Sequence, residues 1–408
     1  MEKKQTRGII LCAFLFLILC LGVGGCHNKR QVKQSQTMKK EKQAAQKKSK
    51  AKPYDLTIPA KEEKTYEKEC IEVMKSCSDL YRDCDVKNPD DTVLADEQLT
   101  KMAKQIAKSK APVYLYNGNI DMINYQSLEQ FIQSVEKNNN AIIHIYELVQ
   151  NGGMNRTTYC NKDGKLVSTM VCLAWDANNK PYVTYVNRCE VKSIEYTKKG
   201  WLMVENAVNE NCSEVVDGSF IIRVKPVKKE YRKAYNKYIA PIGYQGNNLF
   251  RVNWDKGSMK RIAFNDLYDF TYPLVHGKSL DATNQKSRIK QKEFEQVILP
   301  YFAISAESLR ELAHYDPKKK EYKWGRIGFG NQIPDIFYEA SSEVVGIKEN
   351  KDHTKSLTVD VVTEGDDIAF THIVTIEDKE NGGWNYVGNR LVGVKEQDLP
   401  NYIPRTKK

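Results

Sequence analysis

The sequence predicts an α+β protein whose folded body has two domains, each with helices packed on one face of a curved antiparallel sheet. Helical periodicity and strand alternation occur in the same order, helices first and strands after, in both halves of the 408-residue chain. Turn sequences such as Lys162-Asp163-Gly164 separate the alternating runs, as expected of an antiparallel meander. These observations together favour the α+β class.

In the first half, apolar residues at helical spacing predict three helices, and alternating apolar residues predict five strands. The predicted helices cover residues 61–82, 96–108 and 126–136. The predicted strands cover residues 141–149, 154–160, 166–175, 182–196 and 201–208.

The second half repeats this order. The predicted helices cover residues 260–272, 292–302 and 306–314, and Ser305 is placed to cap the last of them. The predicted strands cover residues 323–329, 337–348, 356–363, 368–377 and 384–392.

The element order divides the body into a domain over 54–226, an interdomain segment over 227–258 and a second domain over 259–397. A Gly-Trp-x-x-Val-x-Asn motif begins at Gly200 and again at Gly383, where the last predicted strand of each half starts. This echo indicates either an internal duplication or a chance similarity of two β-hairpins. The pattern of elements resembles the cone-shaped cystatin or NTF2-like class.

The N-terminus is typical of a secretory signal. A short basic head precedes Gly8–Gly25, an uncharged apolar stretch of 18 residues. Val23-Gly24-Gly25-Cys26 resembles a bacterial lipobox, which predicts a signal peptide over 1–25 and an acylated, palmitate-bearing Cys26. The alternative is an uncleaved anchor, because about 18 apolar residues can just span a bilayer.

Residues 26–53 predict a disordered tether, because ten Lys or Arg stand against Glu41 alone with little apolar content. The signal and tether hold thirteen of the 63 basic and two of the 52 acidic residues, so the body carries 50 of each. The net charge of +11 therefore does not indicate a nucleic-acid partner. The tether is interpreted as a contact for anionic lipid or wall polymer, or as a plain spacer.

The sequence predicts no metal, no cofactor and no catalytic group. Cys70, Cys77 and Cys84 recur every seven residues and are interpreted as buried helix residues. A disulfide among Cys160, Cys172, Cys189 and Cys212 is left open. The sequence has no HExxH, GxSxG or GxxxxGK[ST] motif, which disfavours zinc hydrolases, serine hydrolases and P-loop nucleotidases.

A polar, aromatic segment between the halves is the candidate ligand groove. Its glycines permit unusual backbone angles, and domain junctions are favoured ligand sites. The candidate groove residues are Tyr244, Gln245, Asn247, Asn248 and Trp254. They would suit a glycan or peptide, whereas the structural alternative is an irregular linker whose aromatic residues fill the interdomain contact.

Several runs resemble an uncharacterised family of clostridial secreted lipoproteins, grouped as a domain of unknown function. They are Ile222-Arg223-Val224-Lys225-Pro226 with the preceding Val216-Asp217-Gly218-Ser219, the 243–254 segment, and residues 293–324 with Tyr322-x-Trp324. The likeness covers nearly the whole body from Tyr54 onward. It implies export by a Gram-positive host and implies no activity, ligand or catalytic residue.

The sequence as a whole predicts a lipid-anchored protein on the extracytoplasmic face of the cell membrane, acting as a non-enzymatic binding or envelope-assembly module with a possible protein or glycan ligand. The alternative is a cell-envelope hydrolase, or a modulator of one, with Asp255, Asp266 or Asp269 as acid or base.

Overall fold

The computed structural model describes residues 56–406 except 85, 87, 90–91, 208–219, 282–285, 328–340 and 364–365. Leu56–Lys408 form one compact unit. The predicted signal peptide, Cys26 and the tether to residue 53 lie outside the described residues. Within the described ranges, no helix combines the length and the apolar composition that a membrane crossing requires.

The N-terminal half begins with helices and continues as a sheet. Its helices are α1 (Ala60–Lys75), α2 (Ser78–Arg82), α3 (Asp96–Ile106) and α4 (Tyr125–Glu136). Its strands are β1 (Val113–Leu115), β2 (Ala141–Leu148), β3 (Met154–Lys162), β4 (Lys165–Trp175), β5 (Pro181–Tyr196), β6 (Trp201–Asn206) and β7 (Phe220–Arg223).

These seven strands form one curled sheet in chain order. The pairs from β2 to β7 are antiparallel, whereas β1 and β2 are parallel. The register shifts between Val191 and Ser193, at the point where β5 leaves β4 and pairs with β6. Such bulges bend a strand and increase its twist, which accounts for the curl.

Helices cover both faces of this sheet, not one face as the sequence predicted. Tyr146 and Leu148 of β2 pack with α1, α2 and α3, whereas Ile143 and Ile145 pack with α4. Because successive side chains of a strand point to opposite faces, β2 is apolar on both sides. Apolar residues on both faces of one strand are typical of a sheet that is covered on both sides.

The C-terminal half mixes short helices with two further sheets. Its helices are α5 (Lys229–Ala234), α6 (Phe264–His276), α7 (Gln291–Ile298) and α8 (Ala306–Leu312). Its strands are β8 (Trp254–Asp255), β9 (Arg288–Lys290), β10 (Tyr315–Asp316), β11 (Glu321–Lys323), β12 (Ser341–Glu349), β13 (Lys355–Thr363), β14 (Asp366–Asp378) and β15 (Trp384–Val392).

The larger of these sheets is antiparallel, in the order β12-β13-β14-β15-β8, and the smaller has the order β10-β11-β9. A single apolar core joins them to the helices of this half. The segment that the sequence assigned between the domains contributes α5 and the edge strand β8, and several of its apolar residues belong to this core.

The two halves meet along β6, β7, β12 and β13. Trp201 and Met203 pack against Val362, and Trp201 donates from Nε1 to Oε1 of Glu343 at 3.3 Å. Arg223 bonds the other oxygen of Glu343 at 2.9 Å. An apolar patch with a partly buried ion pair therefore connects the halves.

Candidate functional site

The structure places most of the predicted groove inside the C-terminal core. The buried members are Tyr244, Asn247, Asn248 and Trp254. Gln245 is half-buried. The side chains of the buried members are bonded within the protein, so they do not line an open groove here.

The two asparagine amides hold the loop in shape. Asn247 donates to the carbonyl of Ile242 at 3.1 Å. Asn248 donates to the carbonyl of Arg261 at 2.9 Å and accepts from the amide of Ala263 at 2.9 Å. Asn side chains commonly stabilise turns in this way by bonding nearby backbone groups. These amides act as structural groups.

Tyr244 belongs to a buried hydrogen-bonded chain with His372. The Tyr244 hydroxyl lies 2.7 Å from Nε2 of His372, and Nδ1 of His372 lies 2.7 Å from Oδ1 of Asn389. Burial lowers the pKa of His372 to about 4. The ring is therefore neutral at pH 7, and the acceptor oxygen of Asn389 assigns its proton to Nδ1.

The candidate acids of the hydrolase alternative have structural partners. Asp255 accepts from the amide of Gly257 at 2.8 Å and from the hydroxyl of Ser258 at 2.9 Å, which stabilises an exposed turn. Asp266 is buried and Asp269 is mostly buried, and both form ion pairs with Arg405, at 3.2 and 2.8 Å. Burial raises the pKa of Asp269. None of the three faces an open cleft as a free acid.

The cysteines of the first helices are not reactive groups. Cys70 and Cys77 are fully buried, and burial raises the pKa of each thiol to about 11. A thiol with such a pKa is protonated at pH 7, and the thiolate is the nucleophile and metal ligand. In the described part of the chain, no three or more His, Cys, Asp or Glu side chains come together in a group that could hold a metal ion.

An open cleft of about 560 Å³ lies where α1 and the end of α3 approach the seven-stranded sheet. We call it the α1 cleft. It is lined by Glu69, Glu72, Val73, Ser76, Gln105, Ile106, Lys108, Ser109, His144, Tyr146 and Arg156.

Arg156, in β3, is the unusual member of the α1 cleft. It is only 1 % exposed, its Nη1 donates to Oε2 of Glu69 at 2.9 Å, and its guanidinium lies 5.1 Å from the centre of the Tyr66 ring. Its Nε and Nη2 make no hydrogen bond of good geometry among the described residues, although the Tyr146 hydroxyl lies near the guanidinium. Leaving a buried polar group unbonded costs about 1–3 kcal/mol, more for charged groups.

The two unbonded nitrogens form one edge of the guanidinium. Nε and Nη2 present parallel N–H groups on the same side, which is the geometry that binds both oxygens of a carboxylate. The bond to Glu69 uses the remaining nitrogen, Nη1. Arg156, which lines the cleft, therefore retains a complete two-pronged donor whose nitrogens are both buried.

The neighbours of Arg156 on the sheet are uncharged near pH 7. Tyr146 is its cross-strand partner in β2, and His144 pairs with Thr158 two residues along the ladder, on the same face. Burial lowers the pKa of His144 and raises the pKa of Tyr146, although Arg156 opposes the latter shift. The arginine is thus the principal charge of this part of the sheet.

A second arginine under α1 offers a comparison. Arg188 of β5 donates from Nε to Thr169 at 3.0 Å, from Nη1 to the carbonyl of Thr57 at 3.2 Å, and from Nη2 to Glu62 at 2.5 Å. All three of its nitrogens are therefore bonded. The unbonded edge of Arg156 is consequently not a general property of arginines beneath this helix.

A larger depression of about 950 Å³ beside α7 lacks such a group. It is lined by exposed lysines and by Glu295, whose carboxylate already accepts from Arg310 at 2.7 Å and from Tyr322 at 2.9 Å. The α1 cleft is therefore the stronger candidate site.

Arg156 is not among the site residues that the sequence predicts. The available signal was a basic residue at an inward-facing position of a strand in which residues 154, 156 and 158 share one face. A second signal was the polar spacing of Glu62, Tyr66 and Glu69, which lie on one face of α1.

A family model described as a family of unknown function, DUF6070, matches residues 63–405. This range covers nearly all of the described body, as the sequence resemblance implied. The comparisons with curated proteins and with solved structures found no match.

Proposed function

Because the chain belongs to the DUF6070 family of unknown function, we propose its role from its own residues: a membrane-anchored, non-enzymatic binding module whose site is the α1 cleft. The observation that carries this proposal is the buried Arg156, with two N–H groups unbonded among the described residues beside an open cleft. Such a group is suited to hold a ligand. The carboxylates considered for catalysis are instead tied into turns and ion pairs.

The anchoring part of the proposal rests on the sequence around Cys26. We propose signal cleavage before Cys26, acylation of its thiol and retention on the extracytoplasmic face of a Gram-positive, clostridial cell membrane. The basic tether would then contribute about 1 kcal/mol per cation near an anionic surface, whether lipid or wall polymer. Two or more acyl chains would provide stable anchoring, which one chain does not.

We also propose that the two halves arose by duplication of a cystatin or NTF2-like unit. The repeated order of helices and strands supports this idea, as does the Gly-Trp echo. Trp201 and Trp384 each begin a strand, β6 and β15, and both are buried.

The anchoring proposal is tested by replacing Cys26 with Ala and following radiolabelled palmitate in a Gram-positive host. We expect the wild-type chain to take up label and to sediment with membranes, and Cys26→Ala to lose the label because the acylated thiol is gone. Cys84→Ala is the matched control and should keep the label. A labelled Cys26→Ala protein would contradict the assignment.

The binding role is tested by a thermal-shift screen of the detergent-solubilised full chain against small molecules of the cell envelope. Ser76 is exposed at the cleft, so Ser76→Trp should fill it without touching Arg156. We expect at least one compound to raise the Tm of the wild type but not of Ser76→Trp, and to be recovered unchanged. A compound recovered in hydrolysed form would instead favour the enzyme alternative, and no hit would contradict the binding role.

A further inference from the structure

We propose that the α1 cleft binds a small zwitterion, a free amino acid or short peptide, with the ligand carboxylate on Arg156 and its ammonium group between Glu69 and Glu72. This inference rests on the proposed binding function and specifies its ligand.

The carboxylate position follows from the geometry of Arg156. Nε and Nη2 are the two nitrogens of one guanidinium edge, and both are buried without a hydrogen-bond partner among the described residues. A planar carboxylate satisfies both with two parallel bonds, whereas a single oxygen acceptor satisfies one. The side chain is fixed beforehand by its bond to Glu69 and by the Tyr66 ring. Because the side chain is already ordered, binding does not bear the cost of ordering it, but the two buried nitrogens must be uncovered on the cleft side before the carboxylate reaches them.

The ammonium position follows from the charges around the cleft. Glu69 and Glu72 lie on the same stretch of α1 and line the cleft. The Glu69 side chain is 51 % exposed, and Glu72 is exposed. These two negative charges balance Arg156 and Lys108, so the cleft has no excess charge to attract a simple anion. A ligand that carries one charge of each sign matches this arrangement.

The remaining lining suits a modest apolar group. Val73 and Ile106 lie on the helices that border the cleft, while His144 and Tyr146 add uncharged polar groups from the sheet. The volume of about 560 Å³ falls within the range of small-molecule sites, about 300–1,000 Å³. An aliphatic amino acid or a dipeptide is therefore of suitable size.

Isothermal titration calorimetry of the detergent-solubilised full chain tests this inference. The probes are leucine, leucyl-leucine, leucinamide, 4-methylpentanoate and inorganic phosphate. Leucinamide lacks the carboxylate and 4-methylpentanoate lacks the ammonium group, so each should bind at least about tenfold more weakly than leucine or its dipeptide. Phosphate should not bind.

Two substitutions assign the contacts. Arg156→Gln should abolish binding of leucine and its dipeptide, whereas Arg310→Gln, which breaks an arginine–glutamate pair far along the chain, should preserve it. Glu69→Gln should reduce the ratio of the affinity for leucine to the affinity for 4-methylpentanoate. The substitution removes a negative charge that attracts the ligand ammonium group and that competes with the ligand carboxylate for Arg156. Glu69→Gln also provides a test that stands if Arg156→Gln fails to fold.

The outcomes separate this inference from the proposed function. If 4-methylpentanoate or phosphate binds as tightly as leucine, the zwitterion is wrong although a cleft ligand exists. If none of these probes binds while the envelope screen finds a compound that Ser76→Trp rejects, the inference is also wrong and the binding function stands. Unaltered leucine binding in Arg156→Gln would overturn the assignment of the carboxylate. If the screen itself finds nothing, the proposed function fails.

Discussion

Single polar residues in the C-terminal core take part in hydrogen-bonded chains that run between separate elements. His372 of β14 lies between the hydroxyl of Tyr244 and the amide oxygen of Asn389. Asn389 in turn donates to the carbonyl of Val252 at 2.9 Å. Because a buried group without a partner is costly, each member restricts the conformation of the next.

His372 should make the protein less stable in acid. Its pKa is about 4 in the fold against 6.5 ordinarily, so between these values the unfolded chain binds a proton that the folded chain does not. The free energy of unfolding therefore falls as the pH decreases through this window, by up to about 3 kcal/mol for this residue. We expect His372→Gln to make the free energy of unfolding depend less on pH between about 4 and 6.5. The same substitution should lower stability at pH 7, because it disturbs the hydrogen bonds to Tyr244 and Asn389.

Urea unfolding across this pH window measures the effect. The exposed His276 provides a control, since His276→Gln should keep the wild-type slope. A His372→Gln protein with the full wild-type slope would show that other groups cause the acid sensitivity.

Residue roles were the hardest feature to predict from sequence. Asn247 and Trp254 are residue types that often line ligand grooves. In the structure, however, Asn247 donates to the carbonyl of Ile242, and Nε1 of Trp254 donates to the carbonyl of Leu249 at 2.8 Å. Whether an amide bonds a ligand or its own backbone depends on which carbonyls the fold brings near it. Arg156 likewise belongs to no sequence motif, because its partner Glu69 lies 87 residues away in the chain.

At the scale of elements, long periodic segments were predicted well and short ones were missed. The strand predicted over 384–392 is β15 itself, Trp384–Val392. The helix predicted over 61–82 is interrupted at Ser76 and Cys77, where the backbone of buried Cys77 departs from helical angles. Strands of two or three residues, such as β8 and β9, are too short to show any alternation.

Helix α6 illustrates how packing overrides a local signal. The prediction placed this helix over 260–272, which ends one residue before Pro273, a residue that disfavours the helix interior. In the structure, the helix includes Pro273 and reaches His276, then ends at Gly277 with a left-handed backbone, φ 65°. Proline removes one backbone donor near the end of the helix, and several buried side chains from Phe264 to Thr271 hold the remainder in the core.

At the scale of the whole molecule, the two echo tryptophans have different roles. Trp201 lies at the contact between the halves, with Val362 and Glu343 of the C-terminal half. Trp384 packs inside the C-terminal core, its ring 5.5 Å from that of Tyr238 and 5.1 Å from that of Tyr301. The repeated motif thus predicts where each tryptophan lies in its strand, but it does not predict which residues each tryptophan contacts.

Trp201→Ala should therefore weaken the connection between the halves. We expect both Trp201→Ala and Trp384→Ala to cost about 3–5 kcal/mol, because each removes a large buried side chain. Scanning calorimetry should resolve two transitions for Trp201→Ala, since the halves lose shared contacts, and one for Trp384→Ala and the wild type. A single transition in Trp201→Ala would contradict this role.

The ion pairs beneath α1 join residues that are far apart in the chain, and this separation affects when the cleft can form during folding. Glu62 lies 126 residues from Arg188, and Glu69 lies 87 residues from Arg156. Contacts of such high sequence separation form slowly, because a long loop must close before they yield any stabilisation. During synthesis, α1 emerges well before β3 and β5. If the chain is exported as proposed, its ligand site is absent throughout transit and arises only after these strands have paired outside.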